Sequence, residues 1–482
     1  MTRFAPLSLL ALLSGLGFGA GLGLGPAAAF ELGTGVDVIS DPQTRIEALH
    51  RLYIGHEIGP GLSFGQSVYS AAKGDAGGAF FWGVEAVKVV PVSGPLSATA
   101  GLFLGGGGGA AQVVGDGFMT RAHVGLRYAA SERLGYELGA SWVKITGADI
   151  EDPAVSLGLS YNFGVVHPSE EAVAPGFGAL KLRGVSLRAG AVAARGANRT
   201  GAAQADLGLF GAEGAFSIGP GREVFLAADG AAKGGEGYMQ ILAGGRQRWA
   251  TGPVGLFVEG GLGFGGGGEV DTGAGGLLSL GAGVAVPVAP WADVEFALGG
   301  VASEGEYKGA QASVRLVRVF ARDPGATAPG GGQKWAYTLG VAMQDPNPGF
   351  RKPGVTATAR PILQESSVDM FLTERSYISG TAQTALGGDV AGYAIGLLGL
   401  GYEMPLGGRW YGSLEAQLGA AGGGGVNANG GLIGGARVEL DYALNESARL
   451  SFALGKLTHL KSGTGMAPTT AQIGVKFPFT TR

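Results

Sequence analysis

The chain contains no cysteine in its 482 residues, which excludes disulfide bonds, thiolate metal ligands and a cysteine nucleophile. Charge is also scarce, at 15% of residues with a net charge of −4 and no run of one sign, so we expect no nucleic-acid partner. Beyond the N-terminal region there is no run of 18 apolar residues, and the sequence therefore predicts no transmembrane helix. With five histidines in total, we also expect no metal site and no cofactor.

The N-terminal segment has the pattern of a secretory signal peptide. Arg3 is the only charge before Glu31, an apolar stretch follows from Leu7 to Leu24, and residues 27–29 are three alanines. Small residues at that point are typical of a cleavage site, so residues 1–29 are predicted to be removed, which leaves a mature chain that starts at Phe30. A membrane helix is the competing interpretation, which the glycines between Gly15 and Gly25 disfavour.

A short pattern recurs three times, as Tyr136–Gly139, Phe296–Gly299 and Phe452–Gly455, at intervals of 160 and 156 residues. The string Ile58–Gly61 likewise returns as Ile218–Gly221, again 160 residues later. Internal repeats of this size determine the architecture. We predict three copies at residues 30–164, 179–320 and 334–482, joined by Pro/Gly-bearing linkers at 165–178 and 321–333.

Hydrophobic residues alternate with small or polar ones along each copy. Residues 155–163 place Val, Leu, Leu, Tyr and Phe at odd positions, and Ser, Gly, Ser and Asn at even positions. A period of two predicts β-strands. Glycine accounts for 96 residues while 46% of the chain is hydrophobic, so the chain is neither collagen-like nor disordered. An exported, hydrophobic, all-β chain without a membrane helix can span a bilayer as a closed β-barrel.

The C-terminal strand carries a further pattern at Gln472, Gly474, Phe477 and Phe479. It resembles the terminal-strand assembly signal of bacterial outer-membrane β-barrel proteins, with three additional residues beyond it. Residues 156–163 fit the same pattern at the end of copy one, whereas copy two departs from it at Arg315 and Arg318. The resemblance implies location in the bacterial outer membrane. It also implies the barrel-assembly machinery, outer-membrane lipid and lipopolysaccharide as partners, with the oligomeric state left open.

Each copy divides into eight strands, which in copy one are expected at 30–39, 47–58, 62–72, 79–92, 97–106, 118–130, 134–146 and 154–164. Tight turns alternate with longer loops, which is typical of outer-membrane barrels. Each copy resembles a small eight-stranded OmpA-like barrel. Three tandem barrels are slightly favoured over one 24-stranded barrel, because of the linkers and the complete terminal pattern of copy one. The aromatic residues near strand ends predict an interfacial girdle, at Tyr128, Tyr161, Phe163, Phe477 and Phe479.

Two groups of polar residues are candidates for a site. Arg121, His123 and Arg127 share one strand face, with Glu137 on the next strand, and predict a charge network inside the barrel. His459 and Ser462, with Glu415 and Glu439 as possible neighbours, would suit a hydrolase of lipid A, but a loop histidine is the favoured interpretation.

We therefore predict no catalytic residues and a structural, interaction or passive-passage role. The alternatives are a diffusion pore, which needs the single wide barrel, and the lipid-A hydrolase.

Overall fold

The structure is a computed structural model that describes residues 29–40, 46–74, 76–109, 115–148, 150–166, 179–320 and 333–481. Its regular elements in these ranges are 24 β-strands. No helix in the described part of the chain is long and apolar enough to cross a membrane. The strands divide into three groups of eight, which we call barrels 1, 2 and 3.

Barrel 1 consists of β1 (Ala29–Ile39), β2 (Ala48–Gly59), β3 (Leu62–Lys73), β4 (Phe80–Ser93), β5 (Leu96–Gly108), β6 (Phe118–Ala129), β7 (Leu134–Ile145) and β8 (Ile150–Val166). Barrel 2 consists of β9 (Ala179–Arg195), β10 (Leu207–Gly219), β11 (Arg222–Lys233), β12 (Met239–Ala250), β13 (Gly255–Gly266), β14 (Gly276–Ala289), β15 (Ala292–Ser303) and β16 (Lys308–Val319). Barrel 3 consists of β17 (Gln333–Asp345), β18 (Ile362–Phe371), β19 (Ser376–Gly387), β20 (Ala394–Gly407), β21 (Trp410–Gly422), β22 (Leu432–Ala443), β23 (Arg449–His459) and β24 (Thr469–Thr481).

Each group closes on itself through its first and last strands. β1 pairs antiparallel with β8, β9 with β16, and β17 with β24, in each case along nearly the whole strand. Consecutive strands within each barrel are also antiparallel neighbours. Between barrels 1 and 2, β8 and β9 share only a three-residue parallel pairing, from Gly164 to Val166. The three-barrel prediction is therefore confirmed, and the single 24-stranded barrel is wrong.

The strand bounds in copy one differ from the prediction by at most two residues, except at the start of β8. That strand begins at Ile150 instead of residue 154, because Ile150 to Pro153 continue the ladder with β7. The predicted signal peptide lies outside the described residues except for Ala29, the first residue of β1. Most of the two predicted linkers, at 167–178 and 321–332, lies outside them as well.

Bulky apolar side chains cover much of the outer surface. Leu298 is 72% exposed, Leu262 66% and Val124 64%. The strands are 10 to 17 residues long, and about 9–11 residues suffice to cross a bilayer. These side chains form a continuous apolar band around the outside of the strands, here called the lipid-facing collar. Such a band would be costly in water but is matched to lipid. The chain is therefore a transmembrane β-barrel protein, and closed barrels of this type belong to the bacterial outer membrane.

The three barrels pack around a pseudo-threefold axis. Val68 on β3, Ala228 on β11 and Ala382 on β19 occupy equivalent positions, at intervals of 160 and 154 residues. All three point away from their own lumen, are at most 3% exposed, and belong to one hydrophobic cluster. The third strand of every copy thus faces the other two barrels instead of lipid.

The long loops join the barrels in cyclic order. The loop between strands three and four of each copy contacts the region between strands five and six of the next. Gly77 of barrel 1 lies against Gly273, between β13 and β14 of barrel 2, and its carbonyl oxygen also accepts a hydrogen bond from Arg199 in the neighbouring loop between β9 and β10. Glu236 Oε2 of barrel 2 accepts from Gly430 N of barrel 3 at 2.8 Å.

The cycle closes where barrel 3 returns to barrel 1. Asp116 Oδ1 of barrel 1 accepts from Gly388 N of barrel 3 at 2.8 Å. A contact that runs head to tail and closes after three steps generates a ring.

The predicted aromatic girdle needs correction at Tyr161, Phe477 and Phe479, which pack against clusters between the barrels, while the side chain of Phe163 lies outside the described part of the structure. Tyr128 is 52% exposed and fits it, but Phe477 is only 8% exposed. Phe477 points outward and stacks on Tyr337, with ring centroids 6.4 Å apart, in a cluster that includes Leu182 and Phe216 of barrel 2. It therefore packs between barrels and does not face lipid. The sequence could not separate these two environments, because both are apolar.

Candidate functional site: the barrel interiors

The lumen of barrel 1 contains a buried network of charged side chains. Arg121 Nε donates to Asp37 Oδ2 at 2.6 Å, and its Nη2 donates to Asp37 Oδ1 at 2.9 Å. Arg51 Nη2 lies 2.9 Å from Glu85 Oε1. Arg121 and Asp37 are at most 3% exposed, so each charge depends on its partner.

The four residues that the sequence singled out all face this lumen. Arg127 bridges Glu137 and Glu31, and its Nη2 lies 2.8 Å from Glu31 Oε1 and 3.2 Å from Glu137 Oε2. His123 Nε2 lies 3.6 Å from Glu137 Oε1. Arg121, by contrast, makes its closest contacts with Asp37. Sequence reasoning missed Asp37, Glu31 and Glu85 because barrel closure brings their strands to β6 from far along the chain.

Barrel 2 holds a denser network of charged residues. Arg246 contacts Glu213, Glu223 and Glu259, with the nearest distance 2.7 Å to Glu213 Oε1. Arg315 donates from Nη1 to Glu259 Oε2 at 2.9 Å and is 1% exposed. The departure of copy two from the terminal-strand pattern is thus explained at Arg315. Arg315 stands where the other copies have glycine, and its side chain fills the lumen there.

In barrel 3, Arg437 and Lys476 are the cations that fill the lumen. Arg437 Nη1 lies 3.0 Å from Glu365 Oε1, and Nη2 lies 3.1 Å from Glu415 Oε2. Lys476 is in contact with Glu439 and lies 3.4 Å from Asp369 Oδ2. The network therefore draws on strands from around the barrel and cross-links them through the interior.

Glycines make room for these large side chains. A Cβ atom on Gly101 would lie 2.2 Å from the His123 ring, and one on Gly399 would lie 2.4 Å from Glu415 Oε1. These separations are far below van der Waals contact. The small residues of the lumen face, which the sequence linked to a narrow interior, thus alternate with the charged residues that fill it.

The half of each lumen toward the long loops is apolar. The buried side chains there form one cluster per barrel, which includes Phe103 and Tyr69 in barrel 1, Tyr238 and Leu242 in barrel 2, and Tyr393 in barrel 3. Each interior is therefore filled by two layers along the barrel axis, an apolar layer at the long-loop end and a charged layer below it.

The mouth of barrel 3 has an additional cover from the loop between β17 and β18. Phe350 is fully buried there and packs edge-on against Tyr393, with ring centroids 5.9 Å apart. Arg351 donates to Asp389 O and Gly388 O, each at 2.9 Å. Burial lowers the pKa of the Arg351 guanidinium, and the carbonyl oxygens compensate for part of its lost hydration. This loop thus closes the barrel by packing and by hydrogen bonds.

The space that remains is small in barrel 1 and larger in barrel 2. The cavity beside Asp37 and Arg121 has about 20 Å³. At the tight-turn end of barrel 2, a vestibule of about 580 Å³ is bordered by Arg183, Glu223 and Arg248. The vestibule ends at the charged layer.

The possible hydrolase residues do not form a site. His459 ends β23, and its ring nitrogens lie 3.0 Å from Met466 O and 2.9 Å from Gly463 O. Glu415 and Glu439 face the lumen, where they contact Arg437. Among the described residues there is also no group of three or more His, Asp or Glu side chains that could hold a metal ion.

The residues of the predicted assembly signal lie on β24, which closes barrel 3 against β17. Gln472 accepts from Arg437 Nη1 at 3.3 Å, and Gly474 is paired with Gly340. Phe479 stacks near Trp335, with ring centroids 6.4 Å apart. These contacts give the four residues a structural role in closure, and their role in assembly stays a prediction.

No protein-family model and no curated protein sequence matches the chain. Several solved structures match over most of its length. The Pseudomonas aeruginosa protein OccK5 (OpdH) is 10% identical, with 94% of this chain and 98% of that chain covered and a TM-score of 0.23. The copper transporter OprC is 12% identical, with 95% and 82% covered and a TM-score of 0.31.

A shorter match is the KdgM porin, which is 8% identical, with 61% of this chain and 98% of that chain covered and a TM-score of 0.15. The barrel architecture and the filled interiors follow from the structure of this chain alone.

Proposed function

We propose that this protein is a non-catalytic outer-membrane scaffold, a rigid unit of three barrels with a structural or interaction role. The observation that carries the proposal is the filling of the interiors. Arg315, Arg437 and Arg121 lie in the middle of three separate lumens, each in contact with buried carboxylates. Opening such a lumen would separate paired buried charges. The loss of one partner from a buried ion pair costs about 3–5 kcal/mol.

Single-channel recording in planar bilayers tests the proposal. The purified full chain should insert without producing steady openings of the size of a diffusion pore. A matched variant, Arg246→Ala with Arg315→Ala, removes the two central cations of barrel 2 and should produce small, irregular openings. Large steady openings of the wild-type chain would contradict the proposal.

Passive passage is the second candidate, and one observation favours it. The vestibule of barrel 2 reaches the charged layer from the tight-turn end and is large enough for a small solute. Passage would require Arg246 and Arg248 to exchange partners among Glu223, Glu259 and Glu295. Liposome swelling with solutes of graded size would detect it, and the Arg246→Ala/Arg315→Ala variant would then swell faster than the wild type.

A further inference from the structure

The seam where barrel 2 closes differs from the seams of barrels 1 and 3. On its outer surface, β9 and β16 present paired alanines, with Ala191 opposite Ala312 and Ala193 opposite Ala310. At the positions equivalent to Ala191 and Ala312, Val38 lies opposite Val155 in barrel 1 and Met343 lies opposite Ala471 in barrel 3, and Val38, Val155 and Met343 are all exposed. Large side chains therefore cover the seams of barrels 1 and 3, while the seam of barrel 2 is left recessed.

The recess is an apolar groove of about 930 Å³. Ala189, Ala191 and Ala312 lie on its floor, and Phe296 and Leu298 on β15 border it. Leu298 is the most exposed large apolar side chain among the described residues, and it rises beside the alanines. The groove lies within the lipid-facing collar, on the side of barrel 2 away from the interfaces with the other barrels.

A pair of cations stands at the long-loop end of the same seam. Arg195 and Lys308 are directly opposite each other in the ladder, and both are exposed. Neither forms an ion pair with an acidic side chain in the part of the chain that the structure describes. Like charges directly opposite on paired strands destabilise a sheet unless an anion lies between them.

We propose that this seam binds one phosphorylated lipid of the long-loop leaflet, lipopolysaccharide, with its phosphate between Arg195 and Lys308 and an acyl chain in the groove. The spacing between the two parts of the site suits a single lipid molecule. Ala191 lies four positions before Arg195 on β9, which is about 13 Å along the strand. Arg and Lys at the membrane boundary bind phosphate through charge-assisted hydrogen bonds, and the groove adds van der Waals packing against the acyl chain.

The other two seams lack this combination. At the long-loop end of the seam, the last outward-facing pair is Asp345 opposite Thr469 in barrel 3 and Val38 opposite Val155 in barrel 1. Neither pair would attract a phosphate. The site therefore belongs to one barrel of the three, and binding should have a stoichiometry of one lipid per chain.

Native mass spectrometry of the full chain, delipidated and then supplied with lipopolysaccharide, tests the proposal. The double variant Arg195→Gln/Lys308→Gln should lower the retained lipid at least tenfold. Ala191→Leu, which restores a large side chain to the groove, should lower it as well. Lys144→Gln is the matched control, because Lys144 lies at the outer end of barrel 1 and is already paired with Glu151 at 2.7 Å.

The choice of ligand separates the two parts of the site. Dephosphorylated lipopolysaccharide should bind the wild-type chain as weakly as the phosphorylated form binds the double variant. Inorganic phosphate alone should not compete, since it cannot use the groove. Equal retention by the wild type and both variants, or full competition by inorganic phosphate, would overturn the proposal. Insertion of each variant into liposomes is measured in parallel, so a failure of membrane placement is distinguished from a failure of lipid binding.

Discussion

Gln66 of barrel 1 donates a hydrogen bond from Nε2 to the hydroxyl of Tyr337 in barrel 3, at 2.6 Å. The same nitrogen donates to Ser366 Oγ, also of barrel 3, and Gln66 Oε1 accepts from Trp82 Nε1, both at 2.6 Å. Gln66 is 3% exposed and lies on the outer face of β3. A polar side chain on the outside of a barrel is costly in lipid, and the Nε2 group of Gln66 finds its acceptors in barrel 3, which covers it.

The first prediction follows from this contact. Gln66→Ala removes the acceptor of Trp82 Nε1, whereas the hydroxyls of Tyr337 and Ser366 still bond to each other at 3.0 Å, and a lost bond at a buried group costs about 1–3 kcal/mol. We expect barrels 1 and 3 of this variant to separate at a lower denaturant concentration, which shows as a lower midpoint of the unfolding transition. Gln247→Ala is the control, because the Gln247 side chain donates to the carbonyl oxygen of its own neighbour Arg248, at 3.1 Å. Equal midpoints for the two variants would show that Gln66 does not hold the barrels together.

The second prediction concerns the point where copy two departs from the terminal-strand pattern. Arg315→Gly restores the glycine of the other copies but leaves Glu259 and Glu295 with fewer cations in a buried lumen. Removing one partner of such a network costs about 3–5 kcal/mol. The free energy of unfolding in detergent should fall by that amount.

Arg318→Gly is the control for that experiment. Its guanidinium lies 5.1 Å from the ring centroid of Trp291 at the barrel end, and such a contact is worth about 0.5–2 kcal/mol. A smaller loss for Arg315→Gly than for Arg318→Gly would contradict the structural role of the lumenal network.

The third prediction tests whether contacts or linkers hold the barrels together. Protease sites inserted at residues 167–178 and 321–332 would allow the chain to be cut between the barrels. Because the interfaces include a shared hydrophobic cluster and a cycle of loop hydrogen bonds, the three fragments should stay together on size-exclusion chromatography in mild detergent. Separation of the fragments would mean that the linkers are required.

The fourth prediction concerns the pseudo-threefold axis. Ala382 is fully buried between the barrels, so Ala382→Leu should overpack the axis and cost about 1–3 kcal/mol of stability. Ala416→Leu is the control, because Ala416 lies on the outer, lipid-facing side of β21, where lipid can adapt to its shape. Heat-dependent migration on gels would compare the two. Equal stability of the Ala382→Leu and Ala416→Leu variants would mean that Ala382 is not tightly packed at the pseudo-threefold axis.

Several features follow from the sequence because they are local. The strand bounds and the inward or outward direction of each side chain depend on a period of two, which Val155, Leu157 and Leu159 show within a few residues. The repeat is equally visible in Tyr136–Gly139 and its two later copies. The inward direction of Arg121, His123, Arg127 and Glu137 was predictable for the same reason.

Other features were decided by the tertiary structure, because they depend on contacts between distant parts of the chain. Arg121 pairs with Asp37 across 84 residues, and only barrel closure brings them together. Phe477 and Leu157 cannot be told apart by polarity, since lipid and a neighbouring barrel both favour apolar side chains. Phe477 packs between barrels, whereas Leu157 is 58% exposed. The sequence alone determined that three barrel-sized copies exist, and packing around Val68, Ala228 and Ala382 decided that they form one closed ring.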